Sequence, residues 1–256
     1  MTSGGAIWYL YFVMTLLASL RGKDGFVLAA DSRGTFGDPR GVTAQNDNQQ
    51  KAHILSPHVA ALVAGSGELG SLVIDLVKQK LSESKIDGAT PVMETLREIA
   101  RTNFQQWFRS IPPVQAPALV MSGQAPVRPD LAFMVAGFEL DGTPRLYTLV
   151  SQLDFPPMLH DYGFALLGVA QYALYLLNRL YEPDRTVEEL ASLAVYVITE
   201  TASQDGKVGG PVNAITIVPG SSGCQLMTPE AVQKIQAENQ LRAKSLRDSF
   251  YNRGKK

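Results

Sequence analysis

Two rhythms of apolar and polar positions run along this 256-residue chain, and they change at definable points. Thr15 to Leu20 and Phe26 to Ser32 are short apolar runs joined by Gly22-Lys23-Asp24-Gly25, whose Asp-Gly pair signals a hairpin turn. After a polar stretch, Ala52 to Leu55 and Val59 to Gly65 meet at Ser56-Pro57-His58 and read as a second strand pair. The period then lengthens. Leu69, Leu72, Val73, Leu76, Val77 and Leu81 recur at three- and four-residue steps, which predicts a helix with one apolar face. Thr90 followed by Pro91 predicts an N-cap and a first helical position, opening a second helix to about Ser110. Residues 111–130 hold five prolines and read as a connecting loop. Strands resume at Leu131 to Glu139 and Arg145 to Gln152, around Asp141-Gly142-Thr143-Pro144. Helical patterns follow at Gln171 to Tyr181 and Val187 to Thr201, then a strand at Ala214 to Val218 and a charged helix from Thr228-Pro229. Hairpins, rather than regular β-α-β alternation, make this an α+β fold of antiparallel sheets with helices outside.

The amino terminus breaks the pattern. From Ala6 to Leu20, all residues except Thr15 and Ser19 are apolar, yet no basic segment precedes them and the run feeds directly into a strand. A spanning helix needs about 20 apolar residues, and an export signal needs its basic start. Residues 1–14 are therefore expected to be a leader, a propeptide or an over-extended start, with Thr15 opening the working domain. That domain is expected to span 15–227, followed by the charged helix at 228–256.

Composition narrows the function. With 45% apolar residues the chain can bury one sizeable core, and a net charge of −1 makes no case for nucleic acid or a membrane surface as partner. Its single cysteine, Cys224, excludes a disulfide framework and suits a reducing, cytoplasmic setting. His53, His58 and His160 show no ligand spacing, so neither metal nor cofactor is expected.

What remains is the chemistry of Thr15. A threonine hydroxyl attacks only once a base takes its proton, and an N-terminal threonine carries such a base in its own amine, with a reference pKa of about 7.7 to 8.0. The arrangement calls for a lysine to lower that pKa and a carboxylate to hold the lysine. The residues occur at spacings that resemble the proteasome β-type, HslV-like N-terminal threonine hydrolases: Asp31 in "LAADSR", Lys51 in "QKAHIL", Gly65 in "VAGSGELG". Late in the chain, "SQDGKVGGPVNAITI" resembles the family's acidic and Gly-Gly segment through Asp205, Gly209 and Gly210.

The resemblance covers roughly Thr15 to Met227 and implies a four-layer αββα N-terminal-nucleophile hydrolase sandwich. It implies that Thr15 supplies nucleophile and amine, that Lys51 tunes the amine, and that Asp31 orients Lys51. Asp205 joins them as the family's late acidic residue. Gly65 would donate its backbone N–H to the oxyanion, and the Thr35 backbone would align an extended substrate. Gly34, Val63 and Gly67 would line a pocket for an apolar or uncharged side chain. The implied activity is threonine-type endopeptidase cleavage of unfolded polypeptides or peptides, in self-associated rings, with an ATP-dependent unfoldase as a further partner. Two positions depart from the pattern: Val208 stands where the family has a serine before Gly-Gly, and Gly168 to Ala170 lack the second serine. These departures keep a non-catalytic structural subunit in view as one alternative; a small-amide hydrolase, which would share the Thr15 chemistry but not the ring, is the other.

Overall fold

The computed structural model describes residues 14–38, 41–111, 128–220 and 223–251. The expected leader, save Met14, and most of the proline-rich connection lie outside these residues. Among the described residues, no helix is long and apolar enough to cross a membrane.

The strands are β1 (Leu16–Arg21), β2 (Phe26–Ala30), β3 (Gly34–Asp38), β4 (Gly41–Asn46), β5 (Ala52–Ser56) and β6 (Val59–Gly65), then β7 (Leu131–Phe138), β8 (Pro144–Val150), β9 (Met158–Leu159), β10 (Phe164–Gly168), β11 (Asn213–Val218) and β12 (Gly223–Leu226). Helices α1 (Gly67–Ser84) and α2 (Ala89–Trp107) separate β6 from β7. Helices α3 (Gln171–Leu180) and α4 (Val187–Gln204) precede β11, and α5 (Pro229–Tyr251) follows β12. The strands form one sheet in the order β10-β1-β2-β11-β12, a second in the order β5-β6-β7-β8-β9, and a β3-β4 ribbon. All pairings are antiparallel.

Strand alternation builds the layers, because successive side chains point to opposite faces. On β1, Leu17 faces inward with Phe26 and Leu28 of β2, and meets Leu62, Ala64 and Met134 of the second sheet. Leu16, Ala18 and Leu20 face outward, onto Leu177, Leu190, Ala194 and Ile198 of α3 and α4. The second sheet turns Val63, Leu131 and Phe133 outward onto Val73, Val77, Leu96 and Phe104 of α1 and α2. Helix, sheet, sheet, helix is the four-layer αββα order.

Local readings shift in three places. The buried stripe of α1 is Gly70, Val73, Ile74, Val77 and Leu81, and Leu72 turns to solvent. Helix α2 starts one residue before Thr90, with Gly88 at its N-cap, and the Thr90 hydroxyl bonds instead to Glu139 and to Tyr147 Oη at 2.9 Å. Strands β9, β10 and β12 extend the two sheets, β3 and β4 form the separate ribbon, and none of the five is evident from periodicity.

Candidate active site

Three residues beside strand ends converge at one edge of the inter-sheet layer. Thr15 immediately precedes β1, Asp31 immediately follows β2, and Lys51 immediately precedes β5. Because β1 and β2 pair antiparallel with Leu17 opposite Ala30, the next step sets Leu16 against Asp31, whose N–H reaches the Leu16 carbonyl at 3.3 Å, and Thr15 follows one residue on. The second sheet then brings Lys51 across the layer.

Asp31 is fully buried and is surrounded by donors. Its Oδ1 accepts from the Thr15 hydroxyl, from Leu16 N at 3.0 Å and from Lys51 Nζ at 2.8 Å. Its Oδ2 accepts from Arg33 N at 3.2 Å and Gly209 N at 3.1 Å. An ionised carboxylate offers acceptors only, and this one is filled on both oxygens. Lys51 donates to three acceptors: the Thr15 hydroxyl, Asp31 Oδ1, and the Arg33 carbonyl at 2.7 Å. An ammonium has three protons, so the geometry saturates it. Burial pulls the Lys51 ammonium below its ordinary pKa, and the Asp31 charge opposes that pull. The Thr15 hydroxyl thus sits between a buried cation and a buried anion.

Thr15 is also fixed through its backbone. Its carbonyl accepts from Val169 N at 2.8 Å, beyond the β1–β10 pairing of Leu16 with Gly168. Gly168 has φ +93°, and a Cβ there would stand 1.9 Å from the Thr15 carbonyl oxygen, so only glycine allows this approach. In the full sequence the Thr15 nitrogen is in a peptide bond to Met14.

A cavity of about 240 Å³ opens onto Thr15 and Lys51, lined also by Thr35, Gln49, His53, Gly65 and Asp130. Gly65, Gly34, Val63 and Gly67 all border it. The two small glycines have a different reason than anticipated: a Cβ on Gly67 would meet Gln49 Nε2 at 1.6 Å, and one on Gly34 would meet Gln49 Oε1 at 3.0 Å. They make room for the Gln49 side chain, so the cleft is more polar than its glycines suggest. Gly65 has φ +96° and a Cβ there would strike the Asp130 carbonyl at 2.1 Å, which places glycine at the junction of β6 and α1.

Asp205 is not part of the cluster. It caps the C-terminus of α4, and its carboxylate accepts from Lys207 N at 2.9 Å, closing a local turn. From the same segment it is the Gly209 N–H that reaches Asp31. Arg33, which periodicity did not single out, holds that segment in place. It pairs with Asp47 at 2.7 and 2.8 Å and donates to the Gly206 carbonyl at 2.9 Å. Asp47 raises the already high Arg33 pKa, and Arg33 lowers that of Asp47. Val208 is fully buried in the core beneath α4.

Cys224 is the chain's one thiol. Burial pushes the Cys224 thiol up to about 12, and a protonated thiol is a poor nucleophile.

An αββα sandwich with threonine, lysine and carboxylate gathered at the edge of its central layers has the architecture of an N-terminal-nucleophile hydrolase. The family model described as "Proteasome subunit" matches residues 15–217, and the chain belongs to that family. It is 25% identical over 236 residues to proteasome subunit beta type-10 of Rattus norvegicus, covering 89% of this chain and 74% of that protein. It is 27% identical over 211 residues to proteasome subunit beta 2 of Pyrobaculum neutrophilum, covering 79% and 88%. Among solved structures, the helical assembly of the Anbu complex from Pseudomonas aeruginosa aligns with TM-score 0.70 at 20% identity, covering 93% of this chain and 96% of that one. Anbu, the ancestral beta-subunit, from Yersinia bercovieri aligns with TM-score 0.66 at 13% identity, covering 93% and 96%, and shares the fold.

Proposed function

We propose that this protein is a threonine-type endopeptidase in which Thr15, once residues 1–14 are removed, attacks peptide carbonyls. The observation that carries this reading is the Thr15 hydroxyl bonded to both Lys51 Nζ and Asp31 Oδ1 at the mouth of a cavity. The freed Thr15 amine takes the hydroxyl proton as the Oγ–carbonyl bond forms, and returns it to the leaving amine as the C–N bond breaks. Water then hydrolyses the ester. Lys51 keeps positive charge beside the amine and favours its neutral, proton-accepting form. Gly65 N–H stabilises the oxyanion, a contribution of about 3 to 4 kcal/mol for such a donor. The peptide lies extended along the Thr35 backbone as an added strand.

Rings of identical subunits enclosing these sites would confine the activity to unfolded polypeptides or peptides in the cytoplasm, and an ATP-dependent unfoldase would feed them. Intact mass under denaturing conditions tests the start site: a chain beginning at Thr15 is expected. An epoxyketone or lactone probe should label Thr15 in that chain, and failure to label it would overturn the peptidase reading. The non-catalytic subunit remains the second reading because Val208 is a core side chain where the resemblance expects a serine hydroxyl. Native mass separates both from a small-amide hydrolase, which needs no enclosing ring.

A further inference from the structure

The β6–β7 and β7–β8 ladders run out at one place. Gly65 stands opposite Leu131, and Ala132 opposite Val150, in the last pairs before the loops. Past that point side chains take over from strand pairing. The Leu131 N–H donates to Ser151 Oγ at 3.0 Å, and the Gln152 side-chain amide donates to Asp130 Oδ1. The Asp130 carbonyl in turn accepts from Ser66 N at 2.8 Å. That same carbonyl oxygen is the atom a Gly65 Cβ would strike, so the Asp130 peptide lies directly against the Gly65 backbone. Where Asp130 sits therefore decides where the Gly65–Ser66 peptide sits.

The segment that supplies Ser151 and Gln152 is itself tightly held. Ser151–Leu153 forms one short 3-10 turn, and Asp154 and Phe155 follow it with φ +66° and +57°. Aspartate tolerates the left-handed region, but a bulky residue there is uncommon and persists only where its surroundings over-determine it. Here they do. From α2, Arg101 Nε and Gln105 Nε2 reach the Asp154 carboxylate at 2.7 and 2.9 Å, and Arg97 Nε reaches the Phe155 carbonyl at 3.2 Å. The Phe155 ring is fully buried, with its centroid 5.5 Å from that of Phe104 and 6.2 Å from that of Phe133. The turn is thus anchored to the core on one side and bonded to Asp130 and Leu131 on the other.

We infer that Gln152 and Asp130 are positioning residues for the Gly65 N–H: Gln152 holds Asp130, and the Asp130 carbonyl fixes the Gly65–Ser66 peptide at the start of α1. The inference rests on the peptidase reading, in which that N–H meets the oxyanion. A donor helps only if it already stands where the negative charge develops, and a misplacement of about 1 Å can cost on the order of 100-fold in rate. Gln152 is exposed and does not line the cavity. Loss of its amide therefore leaves the core and the peptide-binding wall in place and loosens the donor alone. A role confined to stability would lower the melting temperature and leave turnover by the folded protein as it was.

The test uses the purified protein, a fluorogenic peptide read for kcat and KM separately, and amide hydrogen exchange over Gly65–Gly67 followed by mass spectrometry. In Gln152→Ala, kcat is expected to fall at least about 10-fold with KM within about twofold, and Gly65–Gly67 should exchange faster. Asp130→Ala should lower kcat in the same way. Asp130→Asn keeps an oxygen for the Gln152 amide and should recover most of the loss. An unchanged kcat in Gln152→Ala, a rise in KM alone, or an Asp130→Asn variant no better than Asp130→Ala would overturn the inference. If the parent protein cuts no peptide, the peptidase reading falls and exchange decides the rest: faster exchange at Gly65–Gly67 in Gln152→Ala upholds the hold on this segment, and equal exchange overturns it. Should Asp130→Ala fail to fold, the variant at exposed Gln152 carries the decision.

Discussion

At the scale of single residues, the site depends on a buried charge pair whose partners cannot be separated cheaply. The Lys51 and Asp31 side chains are 5% and 0% exposed. Removing one partner of such a pair leaves an uncompensated charge and costs about 3 to 5 kcal/mol. Lys51→Ala should therefore lower stability by that order in denaturant titration as well as abolish hydrolysis. Thr15→Ala separates the two effects: it should lose hydrolysis with a far smaller change in stability, because Lys51 and Asp31 keep each other. If Thr15→Ala cleaves peptides at the parent rate, the nucleophile is elsewhere. That Thr15, Asp31 and Lys51 would stand together was legible in the sequence through the resemblance of their motifs to the family's. His53, Gln49 and Asp130 were not, because a cavity wall is assembled from β5, a loop and the segment before β7, and no local pattern marks such a set.

At the scale of elements, glycines and one valine do the positioning. Gly168 closes β10 against the Thr15 carbonyl. Gly168→Ala would drive a Cβ into that oxygen at a positive φ, so loss of activity together with a lowered melting temperature is the expected result. Val208→Ser tests the second departure from the resemblance. The side chain sits fully buried under α4. Exchanging it for a hydroxyl should cost about 1 to 3 kcal/mol for burying a polar group without a partner, and a stability unchanged in chemical denaturation would show that the hydroxyl finds one. Strand β6 was legible to the residue, since Val59–Gly65 is a continuous apolar run ended by glycine. The ribbon β3-β4 was not: its sequences, Gly34–Asp38 and Gly41–Asn46, hold few apolar residues and no steady alternation. Strand β10 lacks β-branched residues and leads at once toward a helix, which hides it from propensity.

At the scale of the whole molecule, the buried imidazole of His53 gives folding a pH dependence. In the unfolded chain a histidine takes up its proton near pH 6.5, whereas the folded environment withholds it until about 4. Acid therefore favours the unfolded state. The stability in question is fully present above about pH 6.5 and is lost as pH falls through that window. A drop of up to about 3 kcal/mol is the corresponding scale, and His53→Leu should flatten the profile when unfolding is followed from pH 7 to 4. Assembly is read at this scale too. A native mass that is a multiple of the protomer would accord with enclosed rings, and a monomer that cuts peptides would favour the small-amide alternative.

The sequence by itself determined the alternation that builds two antiparallel sheets, the amphipathic faces that cover them, and the order Thr15, Asp31, Lys51, Gly65 along the chain. Those are local properties: a period of two or of three to four residues, a turn signal, a spacing. Only the tertiary structure decided that Asp205 closes a turn of its own, that Gly209 rather than Asp205 reaches Asp31, and that a buried ring nitrogen of His53 is left without a hydrogen-bond partner. The physical reason is that hydrogen-bond satisfaction and burial are set by segments far apart in sequence that arrive at the same place. Spacing can name a nucleophile, but what its pocket will accept depends on which neighbours fill one another's bonds.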